Sequence, residues 1–157
     1  NIYADSPEWL AQNTRSTRNF IRKWGHFVKH DPLMKPIVPP KYDVGIQLVN
    51  GSEQLLEVLE PWCTSIYVDI DFKSYCTKEQ PNTLYSLLSK MYGIEEDVTN
   101  DVLIRVDGKL VNKFDIENIY EISSILKDSG EVGEFELGNL KINISQLKEY
   151  QDELIHL

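Results

Sequence analysis

Apolar residues alternate at Val44, Ile46 and Leu48, recur at helical spacing at Leu55, Leu56 and Leu59, and alternate again at Ile66, Val68 and Ile70. That order predicts strand, helix, strand, with Asn50-Gly51-Ser52 as the first turn, Ser52 as the helix cap and Pro61 as its stop. So short a unit permits two parallel strands joined by a right-handed crossover. Downstream, "QPNTLYSLLSKMYG" predicts a helix carrying Leu84, Leu87, Leu88 and Met91. "DVLIRVDGKLV" predicts a hairpin on Asp107-Gly108 and "EFELGNLKINI" a second on Gly138-Asn139. "FDIENIYEISSILKDSG" predicts one helix capped by Asp115 and ended by Gly130, and "SQLKEYQDELIHL" a closing helix opened by Ser145. The class expected is α/β or α+β: a βαβ unit followed by two hairpin–helix units.

The first forty residues are patterned differently. In "DSPEWLAQNTRSTRNFIRKWG", Ser6 is a natural N-cap, Pro7 suits the first helical position and Gly25 is placed to end the helix. Its apolar residues gather at the two ends, Trp9 and Leu10, then Phe20, Ile21 and Trp24, around a polar middle. A helix of that kind reads as a bridge between two bodies. "DPLMKPIVPPK" follows, and its prolines predict an extended tether. Three regions are expected: a basic helix over 1–31 that forms the tail of an upstream domain, a Pro-rich linker over 32–41, and a mixed domain over 42–157.

Charge sharpens this division. Residues 1–41 hold seven Lys/Arg against three Asp/Glu, a net of +4, while 42–157 hold nine against twenty-two, a net of −13; the chain totals −9. An acidic body argues against nucleic acid as a partner. Arg15, Arg18 and Arg22 share one helical face with Lys23 beside them, a stripe suited to an anion, to an acidic partner or to the chain's own acidic remainder. Phe20 and Trp24 read as packing against an upstream domain. The two cysteines, Cys63 and Cys76, fit free thiols in a reducing, cytoplasmic setting, and no apolar run reaches the length of a membrane span.

Candidate chemistry is sparse. Asp69 and Asp71 stand one residue apart at a strand end, where two carboxylates can hold Mg²⁺ or Mn²⁺ against a diphosphate. The same spacing also arises on any solvated strand face. His26 and His30 lack the Glu of a metalloprotease helix and fit a polar loop better than a zinc site. Asn50-Gly51-Ser52 offers amides to an anion, as many turns do. No nucleophile elbow, P-loop or Cys/His pair occurs.

"SPEWLAQNTRSTRNFIRKWG", and within it Asn19-Phe20-Ile21-Arg22-Lys23-Trp24-Gly25, resembles the helix that follows the catalytic core in family-2-like glycosyltransferases of the GT-A type, where an F-x-x-K-W-G-like turn recurs. The stretch from Val28 to Asp69 looks like the accessory region attached to such transferases in phage and marine bacterial sequences. The resemblance covers roughly the first seventy residues. It implies that this chain is a C-terminal accessory portion, and the opening on Asn1 is read the same way. The sugar-nucleotide fold, the metal-binding D-x-D and its Mg or Mn would then lie upstream. Asp69 and Asp71 follow the K-W-G turn instead of preceding it, so they do not match that motif. Nucleotide sugar and glycan acceptor enter as partners of the whole enzyme, and no cofactor is expected within this chain. The alternative is a non-catalytic binding or assembly module, such as a phage structural or adaptor protein.

Overall fold

The computed structural model describes residues 6–149. Helix α1 runs Pro7–Trp24, capped at one end by the Ser6 hydroxyl, which accepts from the Trp9 amide, and at the other by left-handed Gly25. A small antiparallel ladder follows, β1 (Lys29–His30) with β2 (Pro36–Ile37). Asp31 turns it by accepting the amides of Leu33 and Lys35. The Pro-rich stretch is therefore partly paired.

The main sheet takes β3 (Val44–Val49), β4 (Ser65–Val68), β5 (Met91–Gly93), β6 (Val102–Asp107), β7 (Gly133–Leu137) and β8 (Leu140–Ile144) in the order β5-β4-β3-β6-β8-β7. The first four are mutually parallel, and β7 and β8 add an antiparallel hairpin. The βαβ expectation holds: α2 (Glu53–Leu59), capped by Ser52, joins parallel β3 and β4. After it come α3 (Lys73–Glu79), α4 (Lys113–Tyr120) and α5 (Ile122–Ser129). The protein is a mixed α/β fold, as its pattern predicts.

One face of the sheet is the core. Ile46, Leu48, Ile66, Ile104 and Ile142 pack beneath Leu56, Leu59, Ile119, Ile122 and Leu126, all at most 2% exposed. Each such burial is worth about 1.5–3 kcal/mol. Both α2 and α4–α5 lie on this face, since Trp62, just after α2, packs its ring on Tyr120 of α4 at 4.9 Å. Yet α2 steps from β3 toward β4, and α4–α5 steps from β6 toward β7, in the opposite direction across the sheet. Two crossovers on one face that step in opposite directions have opposite hands. With crossovers of uniform hand, α4–α5 would cover the other face. Here that face is left bare over β6, β8 and β7.

Several local expectations are corrected. Asp107-Gly108 does not pivot a hairpin; it leads β6 into α4. A Cβ on Gly108 would stand 2.0 Å from the Asn50 carbonyl oxygen, and its amide bonds Val49, so this glycine serves close approach to the neighbouring strand turn. Of the two hairpins expected, only the one at Gly138-Asn139 is formed. The helix expected through "QPNTLYSLLSKMYG" is two 3-10 turns, Gln80–Asn82 and Leu88–Lys90, followed by β5. The Gln80 side chain takes over the backbone partners there, donating to Thr83 and Tyr85 and accepting from Leu87. The single helix expected over 115–130 is two, broken at Glu121, and its cap is Asn112, with Asp115 closing a capping box. Residues 145–149 are not helical; the Ser145 hydroxyl donates to the Asp101 carbonyl, and the rest of that predicted helix lies outside the described residues.

Candidate functional site

Three groups of polar side chains stand out, and they behave differently. The first is buried beneath α1. Leu56, Leu59 and Glu60 fall on one helical stripe, so the apolar face of α2 ends in a carboxylate that is 0% exposed. Four donor atoms on three side chains satisfy it. Arg22 Nη2 and Nε donate to its two oxygens at 2.5 and 3.1 Å, Lys90 Nζ at 2.8 Å and the Tyr75 hydroxyl at 2.9 Å. Arg22 also reaches Glu79 at 2.7 Å, and Arg18 donates to Glu79 at 2.7 Å and to Tyr75 at 2.5 Å. Burial would raise the Glu60 carboxyl, but the Lys90 charge and the Arg22 hydrogen bonds and charge outweigh it and hold it far below the carboxylate range. Glu79 is likewise lowered against its burial, by hydrogen bonds from Asn82, Arg22 and Arg18. Burial and the nearby Glu60 charge push the Tyr75 phenol up, which keeps it a donor.

The arginine stripe is therefore occupied by this chain's own acids. Arg15, at the rim, donates instead to the side-chain amide oxygen of Asn82 at 3.2 Å, while Lys23 points outward over the Trp24 ring. The C-terminal end of α1 is tied as well: Lys41 donates to the Arg22 carbonyl and Ser123 to the Gly25 carbonyl. Positions 9, 13, 16, 20 and 24 form the opposite face of α1. Trp9 is 46% and Trp24 41% exposed there, and Phe20 is partly covered by Trp24 and His26.

A second group lines the carboxyl ends of β3, β4 and β6, where open α/β sheets place ligands. Asp69 accepts the amides of Asn50 and Gly51 at 2.7 and 3.0 Å, taking up the donors the turn would offer an anion. Asp71 accepts the Lys73 amide, opening α3. Asn50, held at a positive φ of 50°, donates from its side chain to Asp107, and that bond together with the Lys109 amide lowers the Asp107 carboxyl. Asp69 and Asp71 are thus turn-forming residues here. Among the described residues no three His, Cys, Asp or Glu side chains are gathered as a metal site. His26 is buried on Phe20 and His30 is exposed in β1, so the two share no ligand geometry.

The third group lies on the bare sheet face and went unread in the sequence. Gln47, Leu103, Arg105, Glu134, Glu136, Lys141 and Asn143 line an open groove of about 490 Å³. Its signal was present as the polar members of four strands, β3, β6, β7 and β8, but their adjacency depends on strand order. The other face of β3 and β4 is covered at one end by Asn100, whose side chain sits where a Gly45 Cβ would be and accepts from the Tyr67 hydroxyl.

Among the described residues, no helix is long and apolar enough to cross a membrane. Compared with known proteins, the chain matches no family model, no curated protein and no solved structure.

Proposed function

We propose that this chain is the C-terminal accessory portion of a glycosyltransferase that builds surface glycans from a nucleotide-sugar donor, with the catalytic core upstream of Asn1. What supports the reading is the two-sided character of α1. Its arginine face is clamped to the acidic domain, while Trp9, Leu10 and Trp24 stay exposed on the segment that resembles the post-catalytic helix of such enzymes. Those large apolar side chains, left in water at the two ends of one helix, are what a neighbouring catalytic body would cover. The role of α1 is then to fasten the acidic domain to the catalytic one in a fixed orientation. A cytoplasmic site fits donor chemistry and the free thiols of Cys63 and Cys76.

The test extends the chain upstream with the coding sequence that precedes Asn1 and measures UDP-sugar binding with Mn²⁺ by calorimetry, beside the 157-residue chain. Binding by the extended protein and none by the shorter chain is expected. If the extended protein binds no nucleotide sugar, the transferase reading fails and a non-catalytic assembly module takes its place.

A further inference from the structure

The bare face over β6, β8 and β7, edged by Gln47 of β3, carries charges whose side chains pair with no other among the described residues. Arg15, Arg18 and Arg22 are each hydrogen-bonded to other side chains; Arg105, the remaining arginine, makes no hydrogen bond or ion pair among the described residues. Arg105 stands directly across from Lys141 in the β6–β8 register. Like charges at facing positions of an antiparallel pair destabilise it. Glu136 faces Lys141 from β7, but no ion pair closes within 4.0 Å. Gln47 flanks Arg105 on β3, and Asn143 sits between Leu103 and Glu134 in the next row.

The arrangement has a direction. Reading across the sheet, one row runs Tyr92, Tyr67, Gln47, Arg105, Lys141, Glu136. With strands about 4.8 Å apart, the row is roughly 24 Å long. Two cations occupy its middle, the Glu136 carboxylate its far edge, the Gln47 amide the near side of the cations, and the stacked Tyr67–Tyr92 pair ends it, while the next row adds Asn143 and Glu134. Adjacent cations with a free guanidinium fork suit one acid group. Flanking carboxylates and amides suit hydroxyl groups, which donate to the first and exchange hydrogen bonds with the second. A half-exposed tyrosine ring such as Tyr92 suits the C–H face of a pyranose. A bare anion would not call for the carboxylates, and a neutral sugar would not call for the facing cations.

We infer that this groove binds an acidic saccharide, with its carboxylate or phosphate between Arg105 and Lys141 and its hydroxyls on Glu134, Glu136, Gln47 and Asn143. The inference deepens the accessory-domain reading on which it rests, by making this face the acceptor-holding surface. It is tested by amide-resolved NMR titration of the 157-residue chain with a uronic-acid disaccharide, a hexose 1-phosphate, a neutral disaccharide and inorganic phosphate. At least one acidic sugar is expected to shift β6 and β8 amides saturably; which one does so assigns the acid group. Arg105→Gln and Lys141→Gln should each weaken that binding about tenfold, the loss of one charged hydrogen bond. Both positions are exposed and face one another, so thermal unfolding should be unchanged or slightly later, never earlier, and Glu134→Gln supplies a variant that removes a hydroxyl acceptor without touching the cations. Absence of shifts with both acidic sugars, binding unaltered in the Gln variants, or inorganic phosphate binding as tightly as either sugar acid would overturn the inference. No donor nucleotide or turnover enters this titration. Its failure leaves the upstream-transferase reading standing, and failure of donor binding by the extended protein leaves the titration result intact.

Discussion

Glu60 and Glu136 are the same side chain in opposite circumstances. Glu60 lies at 0% exposure among Arg22, Lys90 and Tyr75, its ionised form fixed by four donors. Glu136 stands on the bare sheet face, opposite Lys141 in register yet unpaired. Charges beneath α1 are committed to holding a helix in place; charges on the open face are available to something else. Position relative to the core helices, more than residue type, separates structural charge from candidate binding charge in this molecule.

The contrast is broken most sharply by removing one carboxylate of each kind. Glu60→Ala strips the buried Lys90 of its carboxylate and leaves Arg22 with Glu79 alone, and should cost about 3–5 kcal/mol in urea unfolding. Glu136→Ala should stay within about 0.5 kcal/mol. Equal losses would erase the distinction.

Acid should act through the first region. The folded-state pKa values of Glu60 and Glu79 are depressed, so their stabilisation is present above the unfolded carboxylate value of about 4.3 and is lost as pH falls toward the folded values. The urea midpoint should therefore decline below about pH 4.3. In Glu60→Gln, much of that decline should vanish. The opposite sign holds for Cys63, whose thiol burial pushes up to about 12: its contribution is full below the unfolded value of about 8.5 and fades as pH rises toward 12. Labelling of Cys63 and Cys76 by a thiol reagent at neutral pH should follow unfolding.

A smaller effect concerns the outer face of α1. Iodide should quench Trp9 and Trp24 and spare Trp62, which is 5% exposed. Trp24→Ala should change stability by no more than about 1 kcal/mol. In the upstream-extended protein, quenching of Trp9 and Trp24 should diminish.

How much of this was legible depends on the range of the interaction. The limits of α1 were written locally, in Ser6, Pro7 and Gly25, and the β3–α2–β4 unit in its own alternation. Asp107-Gly108 was misread because the dipeptide reports a turn and not what lies beside it; Gly108 is needed against Asn50, far away in sequence. The Arg18 and Arg22 partners were legible in part. Glu60 continues the stripe of Leu56 and Leu59, and an acid on an apolar stripe must find cations, a signal carried by the local sequence itself. The open groove was not legible, because Arg105 and Lys141 become neighbours only through the β6–β8 pairing and stay uncovered only because α4–α5 lies on the other face.

Amide hydrogen exchange along α1 in the intact chain tests most directly whether the arginine cluster makes that helix part of the fold. Protection of the Phe20–Trp24 amides comparable to that of β3 and β6, and its loss in Glu60→Gln, is the predicted result. Free exchange of those amides while the sheet stays protected would contradict it.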